Sequence, residues 1–197
     1  MPYLHDVFVS YRHAGAVYEW VHNHFHPRLC EWLNASSPDP ISVFIDDGIE
    51  TGSDLPEALR QALACSRLLV PIYSPEYFAS RWCQVELRTV LERQRLCGIP
   101  ADDDARTLVL PVKFNDGEFF PAFATRLKYE DLSAHNYPMP VFAESTKYLA
   151  FKDKVEGFAR TIVGRLVGVP PWTSDWPLVD VAEEELMRGT PFPPPRL

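Results

Sequence analysis

Cationic runs are missing from this sequence, and several common functions leave with them. Nineteen Lys and Arg stand against 27 Asp and Glu, a formal net charge of -8, and no stretch gathers the cations. A nucleic-acid surface needs clustered positive charge, so DNA and RNA are excluded as primary partners. Cysteine is scarce: Cys30, Cys65, Cys83 and Cys97 are scattered, and no CxxC pair occurs. That spacing offers neither a disulfide framework nor a zinc cage, and it points to reduced thiols in a cytosol. No apolar run approaches the ~20 residues a membrane helix needs. The opening MPYLHDVFVSYRH lacks a basic segment followed by a long apolar stretch. The expectation is a soluble, cytoplasmic protein with no membrane partner. Neither a GxGxxG nor a P-loop pattern is present, which speaks against ordinary dehydrogenase or kinase chemistry. His22 and His26 stand four apart with His24 between them. Without HExxH or a third ligand they read as a solvated helix face, and no metal site is expected. Asp102–Asp104 lacks the glycine and distal glutamate of a calcium loop and reads as a solvated turn.

What is present is an alternation of short apolar runs with longer amphipathic ones. Apolar residues make up 46% of the 197, enough for one domain with a sizeable core. Residues 6–11, with Val7, Phe8, Val9 and Tyr11, read as strand one. Val17, Val21, Phe25, Leu29 and Trp32 recur at helical steps over 17–34, where Pro27 should kink or split the helix. Residues 41–45 read as strand two, followed by a polar loop with two glycines over 46–54. Ser53 or Asp54 can cap the next helix, whose stripe is Leu55, Leu59, Ala62 and Leu63. Strand three is the near-continuous apolar run 68–73, as expected of a parallel strand covered on both faces. Ser74-Pro75 opens a helix predicted to run unbroken to about Leu96, with the hydroxyl as cap and proline at the first helical position. Residues 108–112 read as strand four, 127–132 as a short fifth strand, and 148–167 as the last helix, with Phe151, Val155, Phe158, Ile162 and Leu166 on one face. Strands alternating with helices imply right-handed parallel crossovers. The fold class is therefore α/β: a flavodoxin-like, doubly wound, five-stranded parallel sheet, most simply in the order 2-1-3-4-5. Residues 1–169 form the domain. Residues 170–197, rich in Pro and acidic at 183–185, read as an extended tail with one short helix over 178–188, packed on the domain or held out for a partner.

In such a sheet the ligand crevice forms beyond the carboxyl ends of the strands where winding reverses, here between strands one and three. Ser10-Tyr-Arg-His13, Ser74-Pro-Glu-Tyr-Phe78 and the loop 46–54 meet there. The third helix brings Trp82 and Glu86, four apart and so on one face. One reading is a core indole and a solvated carboxylate; the other is a site. Cleaving a glycosidic bond usually takes two carboxylates. Nicotinamide bound as NAD+ already carries positive charge and departs neutral, so one acid suffices. Glu86 can oppose the charge growing on the ribose, Trp82 can stack on a flat ring, and Arg12 can pair with the pyrophosphate. Arg12 can equally pair with Asp46 or Glu50 and brace the crevice. Cys83 beside Trp82 is either redox-sensitive or a small buried hydrophobe.

Three segments carry a resemblance. Asp6-Val-Phe-Val-Ser-Tyr-Arg12 resembles the first box of Toll/interleukin-1 receptor (TIR) domains. Val43-Phe-Ile-Asp46 with Ile49-Glu-Thr-Gly52 and the leucines after it resembles their second strand, overhanging loop and following helix. Ser74 to Leu87 resembles the segment that holds the catalytic glutamate in NAD+-cleaving members. The resemblance spans residue 5 to about 168 and implies the TIR fold. It puts Glu86 in the catalytic place and Trp82 one turn before it. Tyr11 and Arg12 fall at positions that contact nucleotide, with Phe44, Asp46, Glu50 and Gly52 in the second-strand and overhanging-loop substrate positions. The implied reaction releases nicotinamide from NAD+, taken as substrate rather than cofactor, and leaves ADP-ribose or a cyclised form. Bacterial and plant members typically use it in immunity, including antiviral defence, after self-association with other TIR domains under a sensor or activator protein. The alternative is a non-catalytic TIR scaffold for protein–protein interaction; a different nucleotide-binding or glycosyl-transfer enzyme on a similar sheet is the third reading. The long segment 113–147 and the Pro-rich tail depart from the family pattern.

Overall fold

A computed structural model of the chain describes residues 3–45, 57–100 and 105–179. Its sheet is parallel, with the strand order β2-β1-β3-β4-β5 anticipated from the alternating pattern. The strands are β1 (His5–Ser10), β2 (Val43–Ile45), β3 (Ser66–Tyr73), β4 (Val112–Lys113) and β5 (Glu130–Asp131). β1 lies between β2 and β3, pairing Phe8 with Phe44 on one side and Leu69 on the other. Seven of the eight residues of β3 are buried, which fits a strand sheltered on both faces.

β4 is shorter than the predicted run 108–112, and the reason is a proline in the strand beside it. The register that pairs Leu69 with Val109 and Ile72 with Val112 sets Pro71 opposite Pro111. Leu69 directs both its backbone groups to this neighbour, accepting from Leu110 and donating to Leu108, each at 2.9 Å. Alternation turns Pro71 the same way, but proline has no N–H to give. The ladder is interrupted at that rung and resumes at Ile72. β5 is likewise confined to two residues of the predicted six, joined to β4 by an ion pair between Lys113 Nζ and Asp131 Oδ2 at 2.8 Å.

The first helical run is split, as Pro27 required. α1 (Gly15–Trp20) passes into a π-helical turn at Val21–Phe25, and α2 (His26–Ala35) follows. The His26 N–H reaches back five residues to the Val21 carbonyl. Pro27 near the start of α2 lacks a donor and crowds the carbonyl four residues before it, and the wider turn makes room. Of the three histidines here, His22 and His26 are partly exposed, and His24 departs from the solvated face expected. His24 is buried because the distant segment 135–139 docks on the π turn. Trp20 donates to the His135 carbonyl (2.8 Å), Asn23 to Pro138 (2.9 Å), and His24 Nε2 bonds the Met139 carbonyl (3.0 Å). His22 Nε2 instead meets the Tyr11 hydroxyl at 2.8 Å, and His26 Nε2 lies 3.3 Å from Cys30 Sγ.

α3 (Glu57–Ala64) buries Leu59, Ala62 and Leu63 as predicted; Leu55 and the candidate caps Ser53 and Asp54 lie outside the described residues. The helix predicted from Ser74 to Leu96 is two helices, α4 (Pro75–Ala79) and α5 (Arg81–Leu96). Ser80 separates them in an extended conformation (φ -85°, ψ 121°) and caps α5 by accepting from the Cys83 N–H, as Ser74 caps α4 from Tyr77. α6 (Lys147–Leu166) packs on α2 through the anticipated stripe from Phe151 to Leu166. Among the described residues no helix is long and apolar enough to cross a membrane. The turn at Asp102–Asp104 lies outside the described residues, as does most of the helix expected over 178–188.

Residues 170–179 run across the domain on the side of α3 and α5. Tyr3 donates to the Pro170 carbonyl (2.9 Å), Trp172 Nε1 to Ala64 (3.1 Å), and the Val179 N–H to Thr89 Oγ1 (3.0 Å). Between them the Trp176 ring lies 5.2 Å from the guanidinium of Arg93. Arg93 is 1% exposed and donates to the carbonyls of Ser66 (2.7 Å) and Leu63 (3.0 Å), tying α5 to the start of β3 and the end of α3.

Arg93→Met keeps the aliphatic stem but strips two buried carbonyls of their charged donor, and urea unfolding should register a loss of about 2–4 kcal/mol. Burial lowers the affinity of His24 for a proton, and His135 on the docked segment is shifted the same way for the same first cause. The unfolded chain therefore binds protons that the native state refuses, and stability falls as pH drops below the ordinary imidazole value of about 6.5. Urea midpoints measured between pH 7.5 and about 5.5 should show that fall, and His24→Gln should flatten it.

Candidate active site

Winding reverses between β1 and β3, and their carboxyl ends are Ser10 and Tyr73. Beyond Tyr73 the chain enters α4 and then α5, and the Ser80 break brings the first two turns of α5 back towards the end of β1. Glu86, on the second of those turns, is 5% exposed. Its Oε2 accepts a short hydrogen bond from Ser10 Oγ. Ser10, itself 2% exposed, also lies 3.1 Å from the Tyr77 hydroxyl, and Tyr77 donates to the Cys83 carbonyl at 3.0 Å. A strand end, a short helix and the first turn of a longer one are thereby joined around one carboxylate.

Such burial has electrostatic consequences for the neighbours. Burial foremost, and then the nearby charges of Cys83 and Glu86, push the Tyr77 phenol well above its ordinary range. Burial also raises the Cys83 thiol, with the Glu86 charge adding to it and Arg12 working against it. Arg12 itself is half-buried. Of the two readings of Cys83, the structure bears out the small buried hydrophobe: it is 4% exposed and belongs to the core. Trp82, one turn before Glu86, is partly buried against the core, with the Arg81 guanidinium 5.7 Å from its ring centroid.

The remaining sequence candidates are dispersed. Tyr11 is buried on the side of α1 and the π turn, its ring against His13, Tyr18 and His22. Successive residues of an extended chain face opposite ways, and Tyr11 thus turns from the helices that Ser10 meets. Phe44 stacks on Phe8 at 5.0 Å and tilts against His5, two residues down the strands from the level of Ser10. Asp46, Glu50 and Gly52 lie outside the described residues. Ser10 and Tyr77 fall in the two segments expected at the crevice, though the sequence assigned neither of them a role there. Their signal was parity: Ser10 is a small polar residue on the same strand face as Phe8, where a buried side chain needs a polar partner.

The family model described as TIR domain matches residues 7–143. The chain is also similar to the TIR domains in the structure of the activated Roq1 resistosome directly recognizing the pathogen effector XopQ. That likeness is remote, at 22% identity over 79% of this chain and 83% of that one, with a TM-score of 0.42.

The thiols divide by exposure. Iodoacetamide applied to the native protein should alkylate Cys30 and Cys97, which are partly exposed, and leave Cys83 and Cys65 unmodified until denaturant is added. Peptide mapping by mass spectrometry reads the order.

Proposed function

The chain belongs to the TIR domain family, and from that premise we propose that it is an NAD+ glycohydrolase. The observation that carries this reading is the carboxylate of Glu86, buried and hydrogen-bonded at the switch point of the sheet. A carboxylate withdrawn from water interacts more strongly with charge that develops beside it than one in solvent.

In the proposed reaction the bond between the ribose anomeric carbon and the nicotinamide nitrogen breaks, and its electron pair neutralises the pyridinium. Nicotinamide leaves without a proton. The ribose acquires oxocarbenium character, and Glu86 stabilises it while accepting hydrogen bonds from the ribose hydroxyls. Water then adds to the anomeric carbon and gives up a proton to solvent, leaving ADP-ribose, or a nitrogen of the adenine of the same molecule bonds to that carbon and closes a cyclic form. Trp82 supplies a face for a flat ring, and Arg12, two residues after Ser10 and felt electrostatically at the Cys83 thiol, supplies a partner for the pyrophosphate. We place this activity in immune defence, with the active form a self-assembly of TIR domains triggered by a sensor or activator protein.

Incubation of the pure chain with NAD+ at high concentration or under crowding, followed by chromatography and mass spectrometry, tests the reading. Free nicotinamide should accumulate with ADP-ribose or its cyclised form. Glu86→Ala should slow that release about 100-fold or more, and Trp82→Ala should act mainly on KM. Equal inertness of wild type and Glu86→Ala under every assembling condition would leave a protein-docking scaffold as the function.

A further inference from the structure

A glutamate side chain has three rotatable bonds, and stabilising one face of a ribose requires that they be fixed before substrate arrives. The helix backbone of α5 alone does not do this. We propose that Ser10 is a positioning residue that holds the Glu86 carboxylate, with Tyr77 holding Ser10 in turn; the inference rests on the catalytic reading of Glu86.

The geometry is that of a short chain of hydroxyls anchored at both ends. Ser10 is the last residue of β1 and pairs with Pro71 of β3, so its backbone is fixed by the sheet on which the crevice is built. Its side chain has a single torsion, and its one hydroxyl proton is shared as a three-centre bond between Glu86 Oε2 and the oxygen of the Tyr77 hydroxyl. Tyr77 is fully buried, and its proton goes to the carbonyl of Cys83, three residues before Glu86 on the same helix. The connection therefore returns to the first turn of α5, and the helix that carries Glu86 is referenced to the strand end through two hydroxyls. A serine proton donated to a carboxylate is a charge-assisted bond, stronger than a neutral one. It fixes one oxygen and thereby restricts the directions in which the carboxylate plane can turn. All three side chains are at least nine-tenths buried, so water has little room to replace a missing hydroxyl.

The test compares Ser10→Ala, Ser10→Thr and Tyr77→Phe with the wild type in full-length protein. In NAD+ cleavage, Ser10→Ala should lower kcat about 10- to 100-fold while KM stays within about twofold, the pattern of an interaction made for the transition state alone. Ser10→Thr, which keeps the hydroxyl, should recover most of the loss, and Tyr77→Phe should fall between. A second measurement is independent of turnover: the carboxyl 13C resonance of Glu86, assigned by its disappearance in Glu86→Gln, should move in Ser10→Ala. Wild-type kcat in Ser10→Ala overturns the assignment whether or not the resonance moves, because the contact then does nothing for the reaction. A loss of kcat that Ser10→Thr does not recover, with the resonance unmoved, also overturns it as a merely structural effect. A wild type inert towards NAD+ overturns the catalytic reading of Glu86 instead, and the resonance alone then decides whether Ser10 holds the carboxylate.

Discussion

The hydrogen bond between Ser10 and Glu86 is the constraint on which the crevice depends. A carboxylate removed from water is costly unless donors replace its hydration, and this one is nearly inaccessible. The fold meets the demand by bringing two segments 76 residues apart in sequence to one point. β1 must end at Ser10 rather than a residue earlier, since alternation would otherwise turn an apolar side chain to the carboxylate. α5 must begin at Arg81, since a continuous helix from Ser74 would aim Glu86 elsewhere. The extended Ser80 and the parity of β1 are thus two parts of one solution.

The sheet was legible because its cause is local. Apolar runs bounded by turn residues mark the strands, and the alternation with amphipathic helices leaves few topologies. Trp82 and Glu86 were legible for the same reason, being one turn apart on a recognisable segment. The break at Ser80 was hidden because apolar spacing continues across it and both Ser74 and Ser80 can cap. His24 was misread because its cover comes from residues 135–139, more than a hundred positions away. The Ser10 contact is equally non-local: strand parity marks the serine as a side chain in need of a polar partner, and does not say which partner.

Residues 170–179 give the α3 and α5 side of the domain a polar and aromatic cover. Trp172 satisfies the last carbonyl of α3, one of the groups that helix ends leave without an intrahelical partner. Trp176 lies over Arg93, whose two carbonyl acceptors belong to α3 and β3. The tail therefore reinforces the junction at the base of β3, at the end of the sheet remote from Ser10. From there it follows α5 as far as Thr89, one turn short of Glu86.

Pro71, which has no N–H to give β4, leaves the sheet with a seam. On one side β2, β1 and the first part of β3 form an uninterrupted ladder that fixes Ser10; on the other, two-residue strands join β4 to β5. Ser10 takes its place from the longer ladder, whereas Tyr73, which leads into α4, is paired with Lys113 of β4. The two walls of the crevice are thus anchored on opposite sides of the seam.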